Sequence, residues 1–110
     1  MKTNREQFLE RFKLPLTVQL SLKEIATLSG MPIKALEEVR DRAYGAWKTS
    51  PASIRLKGSF EKNYDTKAFP RSARLGKEQW SFGRIYAFVQ KTPKVFYGAD
   101  RDIAERYGLL

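Results

Sequence analysis

The residues of this sequence best suited to bind a partner are basic side chains that alternate with large apolar ones. Between residues 48 and 77, eight Lys or Arg residues face only two acidic ones, so this basic segment carries +6 of the net charge of +9. The flanking sequences are nearly balanced, at +2 for residues 1–47 and +1 for residues 78–110. Positive charge concentrated in one stretch favours contact with a polyanion.

Two types of side chain are expected to make that contact. Lys and Arg neutralise phosphates, whereas aromatic side chains stack on unpaired bases or anchor the segment to the core. Nothing in the segment indicates sequence-specific readout, and an acidic protein partner fits the same charge. The predicted binding residues are Lys48, Arg55, Lys57, Lys62, Arg71 and Arg74 for charge, with Phe60 and Tyr64 for stacking or anchoring.

Two missing residue types exclude several kinds of site. The chain contains no Cys and no His, which excludes zinc fingers, disulfides, Cys/His nucleophilic pairs and Ser-His-Asp triads. Carboxylate chemistry remains open, but Glu78 and Asp100 stand where acidic residues stabilise the first turn of a helix. No glycine-rich phosphate loop is present. We therefore expect a non-enzymatic protein without a metal or cofactor.

The sequence also lacks the signals of export and of membrane insertion. No apolar run reaches the ~20 residues of a membrane span. The N-terminus is polar and is not followed by an apolar signal region, and the absence of Cys fits a reducing compartment. These features predict an intracellular protein that does not enter the membrane.

The positions of capping residues and apolar side chains predict a mainly α, single-domain fold over residues 1–110. Helices are expected over residues 4–13, 21–29, 32–47 and 77–90, with a last one opened by Asp100 and closed by Gly108. Residues 16–20 and 94–97 are expected to be short extended pieces. Residues 49–75 have no helical period and predict a long basic loop. Trp47 and Trp80, which could be imagined around a ligand pocket, are expected to fill the core.

Residues 22–42 have the spacing of a helix-turn-helix. Ala26 would allow close helix contact and Gly30 would form the turn. A DNA reader should present donors on its second helix, yet the exposed positions there hold Lys34, Glu37, Glu38 and Asp41, which are mostly acidic and would repel phosphate. The pattern therefore favours a helix-turn-helix-like corner that serves packing.

A longer string of residues is also distinctive. Between residues 30 and 106 it comprises Met31-Pro32, residues 35–39, Arg42, residues 45–49 and 51–60, Leu75, residues 77–80 and 83–85, Phe88-Val89 and residues 99–104. This string resembles an uncharacterised family of short domains from large double-stranded DNA viruses of algae and from tailed phages. Residues 1–30 lie outside the resemblance. Some members of that family have a brief basic turn in place of the long loop.

The resemblance implies a viral origin and a non-enzymatic role associated with the virion or with the infected cell. It brings no established activity and leaves open whether the partner is the genome or another coat protein. Three hypotheses follow: nonspecific nucleic-acid binding, a protein interaction module such as a minor capsid or scaffold-like component, and a helix-turn-helix transcription regulator. The sequence does not determine the oligomeric state.

Overall fold

The computed structural model describes residues 2–49 and 76–110. In these two ranges the chain is mainly helical and contains no strand, which confirms the predicted fold class. The elements, in chain order, are α1 (Asn4–Arg11), α2 (Leu22–Ser29), α3 (Ile33–Thr49), α4 (Lys77–Val89), a π-helical turn (Val95–Ala99) and α5 (Arg101–Arg106).

The predicted start of α1 is confirmed, but its predicted end is wrong. The Thr3 hydroxyl accepts a hydrogen bond from the backbone N–H of Glu6 at 3.1 Å, which caps the helix. The helix ends at Arg11, because Lys13 adopts a left-handed conformation with φ of 56°. Pro15 therefore follows a helix that has already ended.

Both ends of α2 are as the sequence predicts. Ser21 and Glu24 form a reciprocal capping box, in which each side chain accepts from the backbone N–H of the other residue. Gly30 ends the helix with φ of 73°, a conformation that costs glycine little. The chain then turns directly into α3.

The expected extended piece at residues 16–20 is a turn. The backbone N–H of Val18 donates to the carbonyl of Pro15 at 3.1 Å. The Arg5 guanidinium donates to the carbonyl oxygens of Leu16 at 2.9 Å and Val18 at 2.7 Å. Since the described residues contain no strand, these backbone groups accept from a side chain instead of from a strand partner.

The second expected extended piece, residues 94–97, is a π-helical turn. The backbone N–H of Ala99 donates to the carbonyl of Lys94, and that of Asp100 donates to the carbonyl of Val95, at 3.0 and 2.8 Å. Gly98 makes this tight turn possible, because a Cβ atom there would stand 3.0 Å from the carbonyl oxygen of Pro93.

The core takes buried side chains from all five α-helices and from the π-helical turn, and the most extensive contact is between α3 and α4. Its largest fully buried side chains are Phe8, Phe88 and Phe96. The expectation that the tryptophans fill the core is only partly met, since Trp47 and Trp80 are each half-buried. Ile33, the apolar first residue of α3, is 39% exposed.

The close approach at Gly98 generates a stability prediction. We expect Gly98→Ala to lower the free energy of unfolding by about 1–2 kcal/mol, because the added methyl group would press on a backbone oxygen. Gly45→Ala is the matched control, since nothing lies within 4 Å of its added Cβ and helix propensity then favours alanine by about 0.5–1 kcal/mol. Urea unfolding measures both; equal effects of the two substitutions would contradict the packing account.

Candidate functional site

The structure describes one of the eight predicted binding residues. Lys48 is exposed in the last turn of α3. The others lie outside the described residues: Arg55, Lys57, Lys62, Phe60, Tyr64, Arg71 and Arg74. The described part of the candidate site is the two places where the basic segment leaves and rejoins the helical core.

Those two places lie close together. Lys77, the first residue of α4, has its Nζ atom 4.6 Å from the ring centroid of Tyr44, which lies one turn before Lys48 on α3. A cation over an aromatic face at this distance is attracted by the electrons of the ring. The contact joins the start of α4 to the end of α3, so the basic segment begins and ends at the same end of this helix pair.

A third cation completes a basic patch around this aromatic ring. The Cζ atom of Arg40 lies 5.9 Å from the Tyr44 centroid, while its guanidinium also pairs with the neighbouring carboxylate of Asp41 at 3.1 Å. Arg40, Tyr44 and Lys48 follow each other at four-residue spacing and so line one face of α3. We call Arg40, Tyr44, Lys48 and Lys77 the exit patch.

The N-terminus of α4 adds to the positive potential of the exit patch. Gly76 is its capping residue and supplies no side-chain acceptor for the N–H groups of the first turn. These groups carry the positive end of the helix dipole, and an anion is favoured there. The first turn also contains one acidic residue, Glu78, beside the cation of Lys77.

A second constellation, absent from the sequence-based predictions, joins α3, α4 and the start of α5. Asp100 is fully buried, and the Arg84 guanidinium grips its carboxylate with two hydrogen bonds of 2.9 and 2.6 Å. Arg42 adds a third contact at 3.3 Å. A buried carboxylate is tolerated only when it is paired in this way. We call Asp100, Arg84 and Arg42 the buried ion cluster.

The cluster continues to the surface along α5. Arg42 also donates to both carboxylate oxygens of Asp102, at 2.7 and 2.8 Å. On the next turn the carboxylate of Glu38 accepts from Arg106 and from the hydroxyl of Tyr107. Through these contacts a helix of only six residues is fixed to the side of α3.

These hydrogen bonds shift the pKa values of the carboxyl groups. The paired donors of Arg42 lower the pKa of Asp102 from its usual 3.8 to about 2. The Tyr107 hydroxyl and the Arg106 guanidinium lower the pKa of Glu38 as well. Both carboxylates are therefore charged throughout the neutral range, which keeps the contacts between α3 and α5 intact.

The buried ion cluster corrects the interpretation of Asp100 as a first-turn acid. Its side chain makes no capping hydrogen bond to α5 and is used entirely by the two arginines. The sequence contains an indication of this buried pair, since Arg84 is the only charged residue of α4 after Glu78.

Two of the three side chains that a helix-turn-helix reader would use are engaged elsewhere. Such a reader should be sensitive to changes at Lys34, Ala35 and Glu38. Ala35 is fully buried, and the carboxylate of Glu38 is bound by Arg106 of α5. Of the three residues, Lys34 is the exposed one. This arrangement gives no support to base readout by α3.

The chain matches no protein-family model, and neither a curated protein nor a solved structure matches it. Within residues 2–49 and 76–110, no group of three or more acidic side chains is placed to hold a metal ion. None of the helices in those ranges is long and apolar enough to cross a membrane.

The buried ion cluster predicts a large difference between two arginine substitutions. We expect Arg84→Met to lower the free energy of unfolding by about 3 kcal/mol, because it leaves Asp100 buried without its main partner. Arg101→Met is the matched control, since its ion pair with Glu105 is exposed on both sides and such pairs contribute at most about 1 kcal/mol. Similar losses for both variants in urea unfolding would show that Asp100 does not depend on Arg84.

The lowered pKa of Asp102 predicts a particular response to acid. The pKa of the Asp102 carboxyl is about 2 in the folded chain and 3.8 in the unfolded chain. The contribution to stability is therefore complete above the higher value and disappears as the pH falls through the lower one. We expect Asp102→Asn to be less stable at neutral pH and to lose stability less steeply over that acid window, as measured by urea unfolding at each pH. An unchanged acid slope would contradict the assignment.

Proposed function

We propose that this chain is a small, non-enzymatic basic protein that binds nucleic acid without sequence specificity through its basic segment and exit patch. The observation that carries the proposal is the contact between Lys77 and Tyr44, which brings both ends of a +6 segment to one place. Positive charge gathered at one end of the molecule raises the local potential more than the same charge spread over the surface.

The chemistry of the exit patch supports phosphate contact more than base readout. Lys48 and Lys77 supply ammonium groups, which suit a backbone that presents a phosphate at every nucleotide. Tyr44 is half-buried and lies against Lys77, so it serves to position this cation. Phe60 and Tyr64 of the basic segment are the residues that would stack on unpaired bases, a contact that tolerates any sequence.

The setting we propose for this activity is viral, in the virion or in the infected cell. This part of the proposal has its support in the resemblance of residues 30–106 to a family from double-stranded DNA viruses and tailed phages. A protein that coats or packages a genome needs affinity for any sequence, which matches a charged segment without readout residues.

A protein interaction module is the second candidate function. The observation in its favour is the interleaving of the charges with apolar residues such as Ile54, Phe60 and Phe69, which would pack against a neighbouring subunit. Salt distinguishes the two candidates. Binding through phosphates weakens steeply with ionic strength, whereas an apolar interface depends on it much less.

The test of the proposed function is the binding of the full chain to labelled single-stranded DNA, duplex DNA and RNA over a salt series. We expect a steep loss of affinity with salt, similar for unrelated sequences. Neutralising Arg55, Lys57, Arg71 and Arg74 to Gln should flatten the salt dependence, since each lost phosphate contact removes about 0.7–0.9 from the logarithmic slope. An affinity and slope unchanged by these substitutions would contradict the proposal.

The exit patch is tested by a separate pair of variants. Lys48→Gln with Lys77→Gln should lower the slope by about 1.5, because two phosphate contacts are lost. Lys34→Gln with Lys94→Gln is the matched control, since it removes the same charge from two exposed residues, one in the first turn of α3 and one just before the π-helical turn. Equal effects of the two pairs would mean that overall charge alone governs binding, without a patch.

A further inference from the structure

An exposed aromatic side chain lies in the π-helical turn, beyond the end of α4 that is opposite the exit patch. Tyr97 is 49% exposed. Of the aromatic residues within the two ranges that the structure describes, it is the only exposed one, since the others are buried or half-buried. Its ring is therefore the one in these ranges that is most open to a partner.

The ring of Tyr97 is held in place by its surroundings. It packs edge-to-face with the fully buried ring of Phe96, at 4.9 Å between centroids and 79° between planes. The backbone N–H of Tyr97 donates to the carbonyl of Thr92 at 3.3 Å. An edge-to-face contact covers one face or one edge of a ring, so at least one face of Tyr97 is left uncovered by Phe96. A ring that is fixed in advance loses little conformational entropy when a partner stacks on it.

A cation lies beside the same pair of rings. The Nζ atom of Lys91 is 5.7 Å from the centroid of the Phe96 ring, and Lys91 is exposed. Its backbone has a φ of 56°, a strained conformation for a residue other than glycine and one that is common at functional sites. Residues 79–99 include no acidic residue, and each of the three acidic residues that follow is paired with an arginine. The surface around Tyr97 is thus positively charged.

We propose that the ring of Tyr97 stacks on an unpaired base of a single-stranded nucleic acid while Lys91 contacts a phosphate of the same strand. This inference rests on the proposed function and adds a second contact surface to it. An aromatic face stacks on any base, and an ammonium group neutralises the backbone, so the contact needs no particular sequence. Because the bases of a duplex are already stacked on one another, this surface favours single strands over duplexes.

The position of this surface also suits a strand that contacts the exit patch. The 13 residues of α4 span about 20 Å, with Lys77 at the start of the helix and the π-helical turn after its end. A strand of several nucleotides that is bound at one end of α4 is held near the other end, which raises the overall affinity.

The experiment is binding of the full chain to a labelled single strand and to a duplex of the same length, with Tyr97→Leu beside the wild-type chain. We expect Tyr97→Leu to weaken single-strand binding at least about fivefold and duplex binding less than about twofold, because leucine offers no ring to an unpaired base. The retained duplex affinity also shows that the variant is folded. Tyr97→Phe is the matched control; it keeps the ring and should bind the single strand as the wild-type chain does.

The phosphate contact is tested by a change of charge. Lys91→Gln should lower the logarithmic salt slope for the single strand by about 0.7, because one phosphate contact is lost. Lys34→Gln removes the same charge from an exposed residue of α3 and should lower the slope less. Equal slopes for the two variants would contradict the role of Lys91.

The outcomes that overturn this inference differ from those that overturn the proposed function. If Tyr97→Leu binds the single strand as tightly as the wild-type chain, or loses single-strand and duplex binding equally, the stacking contact is wrong and the proposed function stands. If the wild-type chain binds neither nucleic acid, both are wrong.

Discussion

The burial of the Asp100 carboxylate is the constraint on which the rest of the described structure depends. An unpaired carboxylate in this position would be prohibitively costly, so Arg84 and Arg42 must reach it from two different helices. Their contacts fix the relative positions of α3, α4 and the chain that enters α5. A six-residue helix is far too short to be stable alone, and the pairing of Arg42 with Asp102 keeps it docked.

The same constraint bears on the basic segment, because the segment leaves α3 and returns at α4. With this helix pair held by the buried ion cluster and by the apolar core, Lys77 reaches the ring of Tyr44. The two ends of a strongly charged stretch therefore meet against a fixed scaffold. The buried ion cluster thus contributes to holding the helix pair at which the proposed binding charge is concentrated.

The parts of the structure that the sequence predicts correctly are those with local causes. Ser21 and Gly30 mark the ends of α2, since capping and left-handed turns depend on residues a few positions apart. The sequence does not predict the π-helical turn, because the turn involves a close approach between Gly98 and the carbonyl oxygen of Pro93. Asp100 fits the local rule for a first-turn acid equally well, and its role is visible only in its contacts with Arg84 and with Arg42, which is 58 positions away. For the candidate site, the charge of the sequence indicates Lys48, which stays a prediction, whereas the contact between Tyr44 and Lys77 is visible only in the fold.

The measurement that tests the central claim most directly is a nuclear magnetic resonance titration of the isotope-labelled full chain with a short single-stranded oligonucleotide. The account predicts that backbone signals shift in residues 40–48, around residue 77 and in the basic segment, while those of residues 31–37 and 101–107 stay in place. Shifts centred on the N-terminal half of α3 and on α5, with the exit patch unaffected, would contradict it.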